Sequence, residues 1–190
     1  MKSLFLSCVI GFLISSNVMA ASTNINMTAN IINTSCQIAV KDNGQIDVGT
    51  VDFEYLNNNT SVDQIYSGGS PFFITVSNCA QVSGKNPTRL TFSFTPVSGA
   101  LSPTNQQVFA NQSTGGASNV GIVILSIQDA QNVFNVLDIN GQPRSIYSVN
   151  PDELINATYH FYARMQKASP TQSISSGLVK ASVLVAVYYE

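Results

Sequence analysis

Hydrophobic and polar residues alternate with a period of two over much of this chain. Leu90, Phe92 and Phe94 are separated by hydroxyl-bearing residues, a pattern that predicts a half-buried strand. Residues 120–127 are almost continuously apolar, as expected for a strand that is covered on both faces. Short strands with turn residues between them, and no long helical period, predict an all-β antiparallel sandwich. The same patterns predict further strands at 71–76, 134–139, 159–165 and 178–189.

A turn is predicted where Asp42-Asn43-Gly44 separates two apolar–polar runs. The runs at 37–41 and 45–51 therefore read as a β-hairpin. Gly-, Ser- and Asn-rich stretches predict loops at 57–61, 113–119 and 169–176. Residues 151–154 fit one short helical turn, and the segment 102–110 fits no single element.

The first twenty residues predict a secretory signal peptide. Lys2 precedes an apolar run at 4–14, and Val18-Met19-Ala20 fits a cleavage site of small residues. A retained anchor helix is the alternative, but the run is shorter than the ~20 residues that span a bilayer. We therefore expect cleavage after Ala20 and no membrane insertion of the mature chain.

The charge of the mature chain is weakly acidic. Lys2 is one of eight basic residues, so seven remain against ten acidic ones, a net charge near −3. This balance argues against nucleic acid or an anionic membrane as a partner. Only 9% of residues are charged, and a polar but uncharged surface suits an extracellular protein that packs against copies of itself.

Two cysteines, Cys36 and Cys79, remain once Cys8 is removed with the signal peptide. Export takes a chain into an oxidising compartment, so the pair predicts one disulfide. The alternatives are two free thiols or a metal site, and the sequence offers no cluster of His or acidic residues to support a metal.

The sequence lacks the signatures of an enzyme. His160 is the single histidine and lies on the polar face of a predicted strand, with no Gly-x-Ser-x-Gly motif to supply a nucleophile. The neighbouring acids Asp52 and Glu54 do not suggest two carboxylates placed across a cleft. We expect no catalytic residue, no metal and no cofactor.

Both ends of the mature chain carry strand patterns that suit an ordinary sandwich poorly. Apolar or small residues occupy alternate positions in the first dozen residues, although termini are usually frayed and polar. The last strand is apolar on both faces, and a strand of that kind left at an edge would be a template for aggregation. Taken alone, each segment could still be a regular strand of its own domain.

Several motifs in order resemble those of the chaperone–usher pilin family, over essentially the whole mature sequence. Gly177 is fourteenth from the C-terminus and Tyr189 is penultimate, with alternating apolar residues between them. The run 161–165 resembles the family's aromatic-x-Ala-Arg-aromatic strand, with Met165 in place of the usual Tyr. Residues 119–122 resemble its Val-Gly-Ile core strand. Residues 48–51 and the approach from Phe73 to Cys79 also fit.

The resemblance implies an incomplete immunoglobulin-like β-sandwich that lacks its last strand and is completed by a donor strand from a neighbouring subunit. It implies a signal peptide at 1–20, a donor extension at 21–34 and a pilin domain at 35–190. The donor residues would be Thr23, Ile25, Met27, Ala29 and Ile31. The strand that lines the groove and is gripped by the chaperone would contain Gly177, Val179, Ala181, Val183, Val185, Val187 and Tyr189.

The resemblance also implies a structural role in a fimbria that supports cell adhesion. The expected partners are a periplasmic chaperone, an outer-membrane usher and neighbouring pilin subunits, and the expected route leads through the periplasm to the cell surface. The alternative is a secreted carbohydrate-binding or adhesin-type sandwich. Sugar-binding platforms favour Trp, which this sequence lacks, although its seven Tyr leave room for one.

Overall fold

The computed structural model describes residues 23–29, 36–78, 88–150 and 156–189. In these ranges the chain is nearly all β, as predicted. The strands are β1 Thr23–Ala29, β2 Gln37–Val40, β3 Gln45–Gly49, β4 Gly69–Ser77, β5 Arg89–Pro96, β6 Leu101–Ser102, β7 Asn105–Ala110, β8 Val120–Ile127, β9 Val133–Asn135, β10 Ser145–Ser148, β11 Asn156–Lys167 and β12 Lys180–Tyr189. One helix, α1, spans Phe53–Asn58, and Lys41–Gly44 form a 3-10 turn.

Two sheets form a sandwich. The first sheet has the order β10-β5-β12-β1-β3, and the second has the order β2-β4-β11-β8-β7-β6 with β9 beside β8. The long pairs β4–β11, β8–β11 and β5–β12 are all antiparallel. One pair differs, because β1 runs parallel to β12.

Aromatic side chains join the two sheets at the centre of the core. The ring of Phe161 on β11 lies 5.4 Å from that of Phe92 and 5.3 Å from that of Phe94 on β5. Phe72 on β4 stacks on Phe161 at 5.5 Å. These four rings are buried, so the period of two in β5 and β11 does place its aromatic residues inward.

The hairpin predicted around Asp42-Asn43-Gly44 is wrong. In the described residues β2 pairs with β4 in the second sheet, whereas β3 pairs with β1 in the first. The three turn residues have φ of 50°, 53° and 78°, and this left-handed run carries the chain from one sheet to the other. The turn was therefore recognised, but its two strands are partners of other strands.

Helix α1 is an element that hydrophobic periodicity misses. It is only six residues long, and its start is fixed by Asp52, whose Oδ1 accepts a hydrogen bond from the Tyr55 amide at 2.7 Å. This is an N-cap in the usual sense. The loop predicted at 57–61 consequently begins only after the helix ends at Asn58.

Strand β8 is covered on both faces, as its apolar run predicts. Ile122 and Ile124 point into the main core. Val123 points the other way and joins a small buried cluster with Val108 and Ala168, against which Val62 packs. The segment that follows α1 thus covers the outer face of the second sheet.

Arg164 on β11 fixes this covering segment. Its guanidinium is fully buried and donates to the carbonyls of Ser61 and Gln64, the latter at 3.1 Å, and to Oε1 of Gln166 at 2.6 Å. It also lies 4.8 Å above the ring centroid of Tyr66. Burial lowers the pKa of Arg164, and nearby tyrosines oppose that shift. The arginine therefore acts as a pin for the backbone of residues 61–66.

Replacing Arg164 with Met should reduce the free energy of unfolding by about 2–4 kcal/mol, because the carbonyls of Ser61 and Gln64 would lose their donor. Urea unfolding measures the loss, and proteolysis within residues 59–68 should accelerate in the variant. Arg89→Met, at an exposed position on β5, is the matched control and should change stability by less than about 1 kcal/mol. Equal losses in the two variants would contradict the role of Arg164.

Tyr147 on β10 closes one end of the core. Its ring packs against Phe92 at 5.6 Å and Tyr159 at 4.7 Å, and its hydroxyl shares a hydrogen bond with that of Ser126. Burial raises the pKa of Tyr147, although the bond to Ser126 opposes the shift. The neutral phenol is therefore the form that the folded chain accommodates.

The free energy of unfolding should fall above pH ~10, where tyrosines of the unfolded chain ionise. The folded pKa of Tyr147 is raised, so its contribution is fully present below that pH and is lost as pH rises through the folded pKa. Tyr147→Phe cannot ionise, and its unfolding free energy should decline less steeply between pH 10 and 11 (urea titrations at each pH). Parallel declines in both proteins would contradict this assignment.

Candidate strand-binding groove

The first sheet is closed by one strand from the N-terminal end of the chain. We call the gap between β12 and β3 the strand-binding groove. In the described residues β3 is joined to the rest of the first sheet only through β1. Without β1, that sheet would consist of β10, β5 and β12, and one edge of β12 would be unpaired.

The backbone of β1 pairs on both of its edges. On one side Ile25 lies opposite Ala181 and Met27 opposite Val183, with the strands parallel. On the other side Ile25 lies opposite Ile46, with the strands antiparallel. The register slips by one residue between Thr23 and Asn24 on the β3 side. The strand is thus an interior strand of the sheet.

Two apolar side chains anchor β1 in the groove. Ile25 is 0% exposed and Met27 is 5% exposed, whereas Asn26 between them is exposed. Burial of each anchor contributes about 1.5–3 kcal/mol. Ile25 and Met27 belong to one buried core cluster with the apolar residues of the flanking strands, namely Ile46 and Val48 on β3, Val179 just before β12, and Ala181, Val183, Val185 and Val187 on β12.

Gly44 packs against the middle of β1. A Cβ built at this glycine would overlap the carbonyl oxygen of Met27, so the turn before β3 touches the backbone of β1 directly. Its φ of 78° also favours glycine. The sequence signal was present in the Asp-Asn-Gly turn, but the hairpin interpretation hid its contact with β1.

The residues predicted as a donor strand lie within this groove as far as the structure describes them. Thr23, Ile25, Met27 and Ala29 belong to β1, whereas Ile31 lies outside the described residues. The segment occupies the groove of its own chain. Whether it also fills a neighbour's groove stays a prediction.

The residues predicted to line the groove fall into two groups. Ala181, Val183, Val185, Val187 and Tyr189 belong to β12, and Tyr189 pairs with Leu90 on β5. Gly177 and Val179 precede the strand, which begins at Lys180 and not at residue 178 as predicted.

The approach to β12 packs against a loop and not against a strand. A Cβ on Gly177 would crowd the backbone at residues 116 and 117, and the Leu178 carbonyl accepts from the Ala117 amide at 3.1 Å. Nδ2 of Asn111 donates to the same carbonyl at 2.9 Å. These bonds take up the backbone that would otherwise extend β12, which explains its later start.

The structure describes one of the two cysteines of the predicted disulfide. Cys36 is buried immediately before β2, and Cys79 lies outside the described residues. The pairing of Cys36 with Cys79 therefore stays a prediction.

No other feature of the described residues competes with the groove as a site. They contain no group of three or more His, Cys, Asp or Glu side chains that could hold a metal. No helix in the described part of the chain is long and apolar enough to span a membrane. An open depression beside His160 is lined by Gln128, Tyr147 and Thr158 among others. Asp52 lies elsewhere in the fold and serves as the N-cap of α1.

Comparison with known proteins places the chain in a family. A family model described as fimbrial protein matches residues 25–190. The chain is 40% identical over 171 residues to the uncharacterized fimbrial-like protein YadK of Escherichia coli K12, covering 90% of this chain and 86% of that protein. The CupB6 tip adhesin of Pseudomonas aeruginosa aligns with a TM-score of 0.41 and 10% identity, covering 89% of this chain. The chain spans only 41% of that structure's length.

The family match begins at Ile25, the first buried anchor of β1, and it continues to the last residue. It therefore includes both the strand in the groove and the groove itself. This chain belongs to the fimbrial protein family and is a structural subunit of a fimbria, a surface fibre.

Proposed function

We propose that this subunit polymerises by donor-strand exchange. In this scheme residues 21–34 leave their own domain and fill the strand-binding groove of the neighbouring subunit, while another subunit fills the groove of this one. Such strand addition to an exposed sheet edge is a general mode of recognition. The domain at 35–190 would then be complete only when it is bound to another chain.

One observation supports the proposal most directly: in the part of the chain that the structure describes, β1 alone joins β12 to β3. Burial of Ile25 and Met27 contributes about 1.5–3 kcal/mol of stability for each side chain. A domain is stable by only about 5–15 kcal/mol in total. A sandwich without this strand would lose a large share of its stability, and a subunit junction that contains the strand would be correspondingly strong.

The partners follow from the edge of β12 that would be exposed once β1 leaves it. A subunit that waits for its neighbour needs a strand that covers β12, and we propose that a periplasmic chaperone lends it. An outer-membrane usher would then bring subunits together so that the donor segment replaces the chaperone. In this scheme the buried face of β12, from Ala181 to Val187, contacts first the chaperone and then the neighbouring pilin.

The export route belongs to the same proposal. Residues 1–20 would direct the chain into the periplasm and be removed after Ala20. There Cys36 and Cys79 would form a disulfide. Such a bond closes a loop of about forty residues and stabilises by ~4 kcal/mol on the loop-entropy model.

Deleting residues 21–34 should lower the melting temperature, and a synthetic peptide of that segment should restore it. At a peptide concentration 100 times its Kd, binding stabilises by about 2.7 kcal/mol. For a domain of this size that corresponds to a shift of roughly 5–10 °C. Thermal unfolding followed by circular dichroism measures the shift.

Two altered peptides make the test specific. A peptide with Ile25→Asp should lose the effect, because the charge would enter the buried site of an anchor. A peptide with Asn26→Asp should keep it, because Asn26 is exposed. If the truncated chain already melts at the temperature of the full chain and ignores all three peptides, the sandwich is self-sufficient and strand exchange is wrong.

A further inference from the structure

A subunit junction needs a donated strand and a groove that accepts it. The contact between β1 and its own groove occupies both of these at once. The segment that would be donated and the groove that would accept a donor are occupied by each other. We propose that the free subunit caps itself in this way, and that the self-capped form can neither give nor accept a strand until it opens. This inference rests on the proposed strand exchange and adds its regulation.

In the self-capped form the groove is closed to other chains. Six consecutive residues of β1, from Asn24 to Ala29, pair with Lys180 to Val185, and Asn24 to Asn26 also face β3 in register. Both edges of the groove are therefore satisfied. A subunit in this state presents no open edge at β12, and open edges are what pair with other chains.

The turn at Gly44 holds the strand in place. Its backbone touches the Met27 carbonyl so closely that no side chain fits between them. The turn connects β2 in the second sheet to β3, which forms one side of the groove. A substitution that adds a side chain at position 44 therefore tests whether the position of β1 in the groove depends on this turn.

The self-capped state is also one that a donor can displace. A tethered segment acts at an effective concentration in the millimolar range for a short linker, which protects the groove against free strands. However, parallel pairing is slightly less stable per residue than antiparallel pairing. Within residues 25–27 only two side chains are buried. A donor that pairs antiparallel with β12, or fills more sites, would bind better.

A disulfide trap in the full mature chain tests the inference. Asn24→Cys with Lys180→Cys joins two residues that lie opposite each other when β1 is parallel to β12. Asn24→Cys with Leu184→Cys is the matched control, since those residues would be opposite only if β1 were reversed about the Asn26–Ser182 pair. In the parallel form they are about 13 Å apart along the strand, beyond the ~7 Å that a disulfide spans.

Oxidation in dilute solution should cross-link the first variant within one chain, at least tenfold more than the second. Peptide mass mapping separates the new bond from any bond of Cys36 and Cys79. The oxidised chain should not take up a labelled peptide of residues 21–34, and the reduced chain should. Cross-links between chains, dominance of the second variant, or equal peptide uptake in both redox states would overturn self-capping.

Glycine substitutions test whether the turn at Gly44 holds β1 in the groove. Gly44→Ala should reduce the yield of the 24–180 cross-link several-fold. Gly115→Ala should not, although its φ of 68° brings the same left-handed strain, because no atom lies within 4 Å of its added Cβ. Equal yields in the two variants would show that the turn at Gly44 does not hold β1.

Failure of self-capping is distinguishable from failure of strand exchange. If the peptide stabilises the truncated chain but the full chain forms only cross-links between molecules, exchange stands and self-capping is wrong. If the 24–180 bond forms but the peptide does not stabilise the truncated chain, β1 is an ordinary strand of its own sandwich. That second result would overturn both proposals.

Discussion

Backbone N–H and C=O groups that leave water must find partners, and this requirement acts most strongly on β12. Its inner face is buried from Ala181 to Val187, and one edge pairs with β5. Among the described residues from 36 onward, no strand pairs with the other edge, and β1 supplies its neighbour. The position of β3, the closure of the first sheet and the tight turn at Gly44 all follow from that insertion.

The second sheet depends much less on the N-terminal segment. Its long strands β4, β11 and β8 pair with one another, and the segment pinned by Arg164 covers their outer face. The molecule therefore combines a self-supporting sheet with a sheet that needs one added strand. This asymmetry suits a fibre subunit, because a junction can be made by exchanging one strand while the rest of the fold stays intact.

Periodicity predicted most of the strands because side chains such as Phe92 and Phe161 must face one core. It could not predict which strands pair. The Asp42-Asn43-Gly44 turn suggested a hairpin, but β1 takes the place beside β3. Helix α1 depends on a single cap at Asp52, and the burial of Arg164 depends on a distant loop, so neither is visible in a local pattern. The sequence indicated a strand at 23–31 and left open that it pairs within its own domain, which is where β1 lies, whereas its donation to a neighbouring subunit stays a prediction.

Hydrogen exchange of the β12 amides, in the full chain and in a chain lacking residues 21–34, tests the central claim most directly. The account predicts that amides bonded to β1 lose protection by at least about tenfold, the factor that 1.4 kcal/mol produces. Alternate amides bonded to β5 and the amides of β8 and β11 should keep most of theirs. Unchanged protection along both edges of β12 would mean that the sheet does not depend on β1, and would contradict the account.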